Sequence, residues 1–352
     1  MLADYSKTIM EREALSAPTK IAAQLKQNKK VWAHIAQELQ RNSPAYAMTI
    51  ARGSSDHAAT FAKYLFEVEM GLVTSSAAPS VQTVYKKSVA SKSGLVVGIS
   101  QSGASPDLYE TQQNATDNGA CTIALVNKEN SLLAKSSKYV VPLHAGVENA
   151  VAATKSYLAT LVALVQFVAI YNNDSVLLSS LERLPETLEQ CSNLNWDSCL
   201  ESLLFAENAY VIGRGFGYPI AQEAALKLKE TSSIHAEPFS SAEVLHGPFA
   251  LIKKMFPVLI FAQNDASLGG VIDMTTRMTS MGAKTIFASP KSNISHNSLL
   301  CSSRLEMPDS IHPILDPILI IQSFYYMAAK LAVKRGLNPD KPKNLKKVTE
   351  TR

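Results

Sequence analysis

The feature that most constrains this 352-residue chain is that it repeats itself. Ala51-Arg52-Gly53 recurs as Gly213-Arg214-Gly215, each time after a strand-like run and before a helix-like one. At the same offset Ile99-Ser100-Gln101-Ser102-Gly103-Ala104-Ser105 falls on Phe261-Ala262-Gln263-Asn264-Asp265-Ala266-Ser267. One residue further on, Gly119-Ala120-Cys121-Thr122-Ile123 matches Gly282-Ala283-Lys284-Thr285-Ile286. Three matches at nearly one offset indicate a duplicated unit. Strand-like runs alternate with helical patterns in both copies, which predicts an α/β fold, a parallel sheet with helices on both faces in each copy. The expected segments are a helical N-terminus over 1–41, a first domain over 42–172, a helical linker over 173–196, a second domain over 197–335 and a tail over 336–352.

Periodicity predicts a helix over 8–41 that Pro18 interrupts, and strands at 45–51, 73–77, 95–100, 122–126 and 139–143. Helices are expected at 57–70, 106–118 and 152–171, then a helical hairpin over 175–196. The alternation resumes with strands at 209–213, 257–262 and 284–288 and helices at 219–231, 268–280 and 316–334.

A hydrophobic fraction of 46% and a charged fraction of 18% describe a globular chain. Net charge is +4, and no lysine or arginine block interleaves with aromatics, so nucleic acid is not the expected partner. Cys121, Cys191, Cys199 and Cys301 show no C-x-x-C spacing. Reduced thiols in a cytoplasm are expected, with no metal and no cofactor. The first twelve residues lack an apolar signal core and no run is long enough to span a bilayer, so no membrane association is expected.

In Leu95–Asp107 an apolar strand breaks into small hydroxyl and glycine residues and opens a helix at Ser105-Pro106. Proline suits a first helical position and serine an N-cap. Such a turn aims backbone N–H groups at one point and reads either as an anion site or as an ordinary capped turn. Where the first copy has Ser100, Ser102 and Gly103, the second has Ala262, Asn264 and Asp265. A carboxylate there repels phosphate, so one phosphate site per chain is expected, in the first half.

Lys227 and Glu230 are three apart and share a helix face. A base beside an ammonium can move a proton at a carbon next to a carbonyl; a surface ion pair is the alternative. Ile234–Pro248 reads as a long loop of functional type. His235 and His246 in it lack the H-E-x-x-H pattern of a metal site, and a proton-shuttling histidine fits better. Glu148–Lys155 combines small residues with a helix start, fitting close approach of a ligand or a partner chain, or a plain helix start. Arg214-Gly215-Phe216-Gly217 is not G-x-G-x-x-G, and no acidic ribose partner follows it. Lys341, Lys343, Lys346 and Lys347 alone read as a solvated basic tail.

Taken together, these motifs resemble the SIS (sugar isomerase) family, over essentially the whole chain. The run from Ala225-Leu226-Lys227-Leu228-Lys229-Glu230 through Ile234-His235-Ala236-Glu237 to His246-Gly247-Pro248 carries the likeness most specifically, with Asn344-Leu345-Lys346-Lys347 at the tail. The resemblance implies two tandem flavodoxin-like SIS domains. It implies that Ser54, Ser55, Ser100, Gln101, Ser102 and Ser105 bind phosphate and sugar hydroxyls, with Val151 and Ala153 beside the sugar. Ala153 stands where the aminotransferases of this family have a serine. Glu230 resembles the base that moves a proton between sugar carbons 1 and 2, with Lys227 beside it. His246 resembles the ring-opening group, which in this family reaches the neighbouring subunit's site, so a homodimer is implied. Lys347 resembles the tail lysine that forms an imine with the ketose carbonyl, and burial of Lys347 would favour that role.

The chain opens Met1-Leu2-Ala3 and runs straight into a helical pattern, without the cysteine that opens a glutaminase domain. The implied activity is that of an SIS-type glucosamine-6-phosphate deaminase, giving fructose 6-phosphate and ammonia. The alternatives are a deaminase, deglycase or isomerase for another phosphorylated amino sugar, a sugar-phosphate sensor without chemistry, or a subunit fed with ammonia by a separate glutaminase.

Overall fold

Short runs of apolar, β-branched residues build the strands, and helical segments connect them. The computed structural model describes residues 7–89, 92–290 and 299–347. In chain order the first half contains α1 (Ile9–Leu15), α2 (Ala17–Arg41), β1 (Tyr46–Ile50), α3 (Ser54–Met70), β2 (Thr74–Ser76), α4 (Pro79–Thr83), β3 (Gly94–Ser100), α5 (Pro106–Asp117), β4 (Cys121–Val126), α6 (Leu132–Lys135), β5 (Tyr139–Pro142) and α7 (Lys155–Tyr171). The second half contains α8 (Ser175–Gln190), α9 (Asp197–Leu203), β6 (Asn208–Gly213), α10 (Gly217–Ser232), β7 (His235–Ser240), β8 (Pro257–Phe261), α11 (Leu268–Ser280), β9 (Lys284–Ala288), β10 (Ser303–Leu305) and α12 (Asp316–Lys334).

The strands form two five-stranded sheets, ordered β2-β1-β3-β4-β5 and β10-β9-β8-β6-β7. Every pairing is parallel. Read from their second strands, both sheets have the order 2-1-3-4-5 of flavodoxin-like folds. The duplication seen in the sequence is therefore a duplication of topology. In such sheets ligands bind outside the carboxyl ends of the strands, where strand order reverses. Those points lie at the turns after β1 and β3 in one sheet and after β6 and β8 in the other.

Two compact units result, each with its own sheet. One comprises Thr19–Glu148, Lys155–Glu182 and the chain from Lys346. The other comprises the N-terminal segment to Pro18, Asn149–Thr154 and Arg183–Leu345. In the first-sheet unit Ile50, Val96, Ala124, Val126, Leu108 and Leu133 form a core cluster. In the second-sheet unit Ile212, Val258, Ile260, Met278 and Phe287 do the same. Helix α7 is buried at every position from Lys155 to Ala169, and α12 nearly so from Asp316 to Ala332. Helices apolar all round belong inside a fold.

Several expectations are corrected by the structure. The first helix breaks at Ser16, the C-cap of α1, and Pro18 sits in the opening turn of α2, where proline is tolerated. The segment 175–196 is no hairpin. Helix α8 runs through Pro185, because Leu177, Leu181, Leu184 and Leu188 recur at helical spacing and are all buried. A 3-10 turn at Cys191–Asn193 follows it. The opening of the stretch read as a long loop is strand β7, which pairs with β6 from Asn208↔His235 to Gly213↔Ser240. It lies at a sheet edge, where Pro238 is accommodated. Strand β10 and the short helices α4 and α6 were not expected.

Candidate active site

The first-sheet unit presents the phosphate-type turn. Strand β3 ends at Ser100, and α5 begins at Pro106 with Ser105 at its N-cap. Gly103 has φ +60, and a Cβ there would stand 2.1 Å from the Ser131 hydroxyl, so the turn requires glycine. The Ser100 hydroxyl accepts the Gly103 N–H at 3.0 Å and the Ser102 hydroxyl accepts the Ala104 N–H at 3.4 Å. Both serines are buried and Gln101 is half-buried. Ser105 stands at the N-cap of α5 before Pro106 and makes no side-chain cap bond to the helix. Ser54 and Ser55 open α3 directly after β1, the strand that pairs with β3, so the two turns lie side by side at the carboxyl edge.

An ion pair that sequence reasoning missed ties these turns together. Arg52 donates to Oδ2 of Asp107 through Nε at 3.1 Å and Nη2 at 2.9 Å. Asp107 lies in the first turn of α5 and is buried, while half of the Arg52 side chain is exposed.

In the same unit Lys347 meets Glu148. Its Nζ lies 3.2 Å from Oε2 of Glu148, whose side chain has no exposed surface. Glu148 also accepts the Ser156 N–H at 3.1 Å and its hydroxyl at 2.7 Å, at the first turn of α7. Lys155 donates to the Val147 carbonyl. The tail lysine is thus held rather than waving in solvent. Its side chain is 25% exposed, so it is partly rather than fully buried.

The second-sheet unit carries Lys227 and Glu230 on α10. That helix starts at Gly217 after a turn in which Gly213 is forced: a Cβ there would lie 2.2 Å from the Gly217 carbonyl oxygen. Lys227 is 1% exposed, so the surface-pair alternative fails. Its Nζ lies 2.5 Å from Oε2 of Glu230 and 3.5 Å from Oε1 of Glu223. Burial alone would push the Lys227 ammonium down, but the Glu223 and Glu230 carboxylates outweigh it and its pKa is raised. Glu223 also accepts the Tyr325 hydroxyl at 3.1 Å, from α12. Glu230 is the exposed member, 21% accessible at its side chain. It lines a groove of about 710 Å³ together with Lys229, Asn338, Lys341, Lys343 and Asn344. Glu223 was not singled out in the sequence, although its i,i+4 spacing to Lys227 was a usable signal.

His246 is exposed just past the 3-10 turn Glu243–Leu245, and no hydrogen bond of Lys227 runs to it. Val151 and Ala153 lie half-buried in the second-sheet unit, where the Val151 N–H donates to the Asp340 carbonyl at 3.0 Å. Asp340 also caps α1, accepting the N–H groups of Ile9 and Met10 at 2.9 and 2.8 Å.

The second copy of the phosphate turn holds its own anion. Oδ1 of Asp265 accepts the Ser267 N–H at 2.8 Å and its hydroxyl at 2.6 Å, and Oδ2 accepts Nε2 of Gln263 at 2.9 Å. Behind it, Asp316 opens α12 and accepts the Asn264 N–H and the Ser310 hydroxyl. Burial pushes the Asp316 carboxyl up to about 7, against those two hydrogen bonds. Among the described residues no group of three or more histidine, cysteine, aspartate or glutamate side chains could hold a metal ion. No described helix is long and apolar enough to cross a membrane.

Two parallel 2-1-3-4-5 sheets, with a small-residue turn after β3 and a buried Lys–Glu pair on α10, define a duplicated flavodoxin-like α/β protein. The SIS domain matches residues 45–170 and 202–320, and the chain belongs to the SIS family. It is 34% identical over 303 residues to the glutamine–fructose-6-phosphate aminotransferase of Aquifex aeolicus, an alignment covering 85% of this chain and 51% of that protein. The chain spans about half the length of the curated relatives it matches. Among solved structures it superposes with a TM-score of 0.88 on a protein of Silicibacter pomeroyi assigned as a phosphosugar isomerase. That match is 36% identical and covers 95% of this chain and all of the other. The C-terminal domain of glucosamine-fructose-6-phosphate aminotransferase from Francisella tularensis follows at TM-score 0.83 and 25% identity, covering 96% and 99% of the two chains. The glucosamine-6-phosphate deaminase of Thermotoga maritima shares the fold at TM-score 0.71 and 20% identity.

Proposed function

We propose that this SIS protein interconverts an aldose and a ketose at the level of an amino-sugar phosphate. In this reading glucosamine 6-phosphate and water give fructose 6-phosphate and ammonia. The observation that carries the proposal is the Lys227–Glu230 pair: a buried ammonium orienting a carboxylate whose other face opens into a groove. A carboxylate so placed suits proton transfer between adjacent carbons. The Ser100–Ser105 turn suits the substrate's phosphate. The family and the relatives' printed activities on fructose 6-phosphate point to the same substrate class.

His246 assists ring opening, from the neighbouring subunit of a homodimer. Glu230 takes the proton from carbon 2 of the open-chain aldehyde, giving an enol-amine, and returns it to carbon 1, leaving an imine at carbon 2. Water adds to that imine carbon and ammonia departs with the nitrogen. Lys347, held by Glu148, polarises the oxygen at the carbonyl carbon or condenses with it.

Ammonia release is the test. The purified chain is offered glucosamine 6-phosphate, galactosamine 6-phosphate and a fructosyl-amino acid phosphate, with and without glutamine. Release from glucosamine 6-phosphate without glutamine supports the reading. Release only from another of these substrates redirects it, and turnover that requires fructose 6-phosphate plus an ammonia donor reverses its direction.

A further inference from the structure

The proton-transfer pair does not end at Lys227. Behind it, away from the groove, lies Glu223 with 0% exposure, and behind Glu223 the hydroxyl of Tyr325, also fully buried. One atom receives both neighbours: Oε1 of Glu223 lies 3.1 Å from the Tyr325 hydroxyl and 3.5 Å from Nζ of Lys227. The ammonium stands closer to Glu230, at 2.5 Å. Two carboxylates compete for one ammonium in a dry helix interface, and the outcome decides where the Glu230 carboxylate points.

We propose that Tyr325 is a positioning residue for the Lys227–Glu230 pair, acting through Glu223. By donating a neutral hydrogen bond to Oε1, the phenol satisfies part of the demand of a buried carboxylate that Lys227 also serves. The ammonium is then left forward, on Glu230, at the groove. A phenol suits this place because it brings a donor into an apolar helix without bringing a charge. Tyr325 is carried on α12, which packs along α10 in the same unit, so the contact is fixed by helix packing rather than by a loop. The catalytic consequence rests on the proposed function; the geometric one does not.

Two variants and two readouts test this. Tyr325→Phe keeps the ring and removes the donor; Tyr325→Gln keeps a donor without the ring. In ammonia release from glucosamine 6-phosphate, Tyr325→Phe is expected to lower kcat about tenfold with KM within about twofold, since misplacing a reacting group acts on turnover. Tyr325→Gln is expected to restore most of the loss. In crystal structures of the full chain, Lys227 of Tyr325→Phe is expected to move toward Glu223 and lose hydrogen-bond distance to Glu230, while Tyr325→Gln keeps that contact. An unmoved Lys227 in Tyr325→Phe overturns the inference. So does a folded Tyr325→Gln protein that loses the contact, or a kcat that the Phe variant leaves unchanged. If the wild-type chain turns over no amino-sugar phosphate, the functional reading fails, and the crystallographic comparison still decides the inference.

Discussion

Lys347 holds its ammonium 3.2 Å from Oε2 of Glu148 across 199 positions of sequence. The carboxylate is fully buried, and it is also bonded to both the N–H and the hydroxyl of Ser156. A charged end of chain is thereby fixed to the start of α7. Glu148→Gln keeps acceptor capacity for Ser156 but removes the charge that holds the tail. Steady-state kinetics on this variant should show kcat lowered roughly tenfold or more, the scale of a misplaced catalytic group. Lys347→Ala should lower it at least as far. Wild-type kcat in Glu148→Gln would mean that the pair is only structural.

The phosphate turn is tested by charge. Ser102→Asp places a carboxylate where the account seats a dianion. At the effective dielectric of a protein surface this repulsion is worth about 2–3 kcal/mol, a KM increase of roughly 30- to 160-fold. Ser102→Ala should be far milder. The second copy supplies the control, because Asp265 already fills its turn: Asp265→Glu should leave KM near the wild-type value.

Stability separates the two carboxylates around Lys227. Lys227→Met takes the ammonium away from Glu223 in a fully buried position, and removing one partner of a buried pair costs about 3–5 kcal/mol. Denaturant unfolding should show this loss, whereas Glu230→Gln, at the exposed end, should lose far less. Equal losses would contradict the burial order seen here.

Asp316 gives a pH signature. Its carboxyl is pushed up to about 7 by burial, so the folded chain holds this proton more tightly than the unfolded chain does. The stability it contributes is therefore present at acid pH and is lost as pH rises from the ordinary carboxylate range through about 7. Asp316→Asn can still accept the Asn264 N–H and bond Ser310, and it removes the titration. The wild type minus variant difference in unfolding free energy should fall by about 3 kcal/mol between pH 5 and pH 8. A flat difference would contradict the assignment.

Much of this molecule was legible in the chain. The duplication announced two copies of one topology. The bounds of α11, β9 and α12 follow directly from apolar periodicity, with Pro317 in the first turn of α12. The Ser100–Ser105 stretch was legible as a turn between strand and helix because its glycine is demanded by local backbone geometry. What was not legible depends on distance or on context. Strand β7 carries Pro238 and polar residues, and only its edge position lets it pair. Glu148 and Lys347, Arg52 and Asp107, and Glu223 and Tyr325 are far apart in sequence and meet only through tertiary packing. Tyr325 in particular sits in an apolar helix whose pattern gives no sign of a polar task.

The central claim is that Glu230 carries a proton between two sugar carbons. It is tested most directly with glucosamine 6-phosphate carrying deuterium at carbon 2, turned over in H2O, with deuterium in the product read by NMR, for wild type and for Glu230→Gln. The wild type is expected to deliver part of that deuterium to carbon 1 of fructose 6-phosphate, the rest being lost to water from the Glu230 carboxyl. Glu230→Gln is expected to slow both that transfer and ammonia release by about 10²- to 10⁴-fold, with the fold intact. Transfer and release at wild-type rates in Glu230→Gln would contradict it.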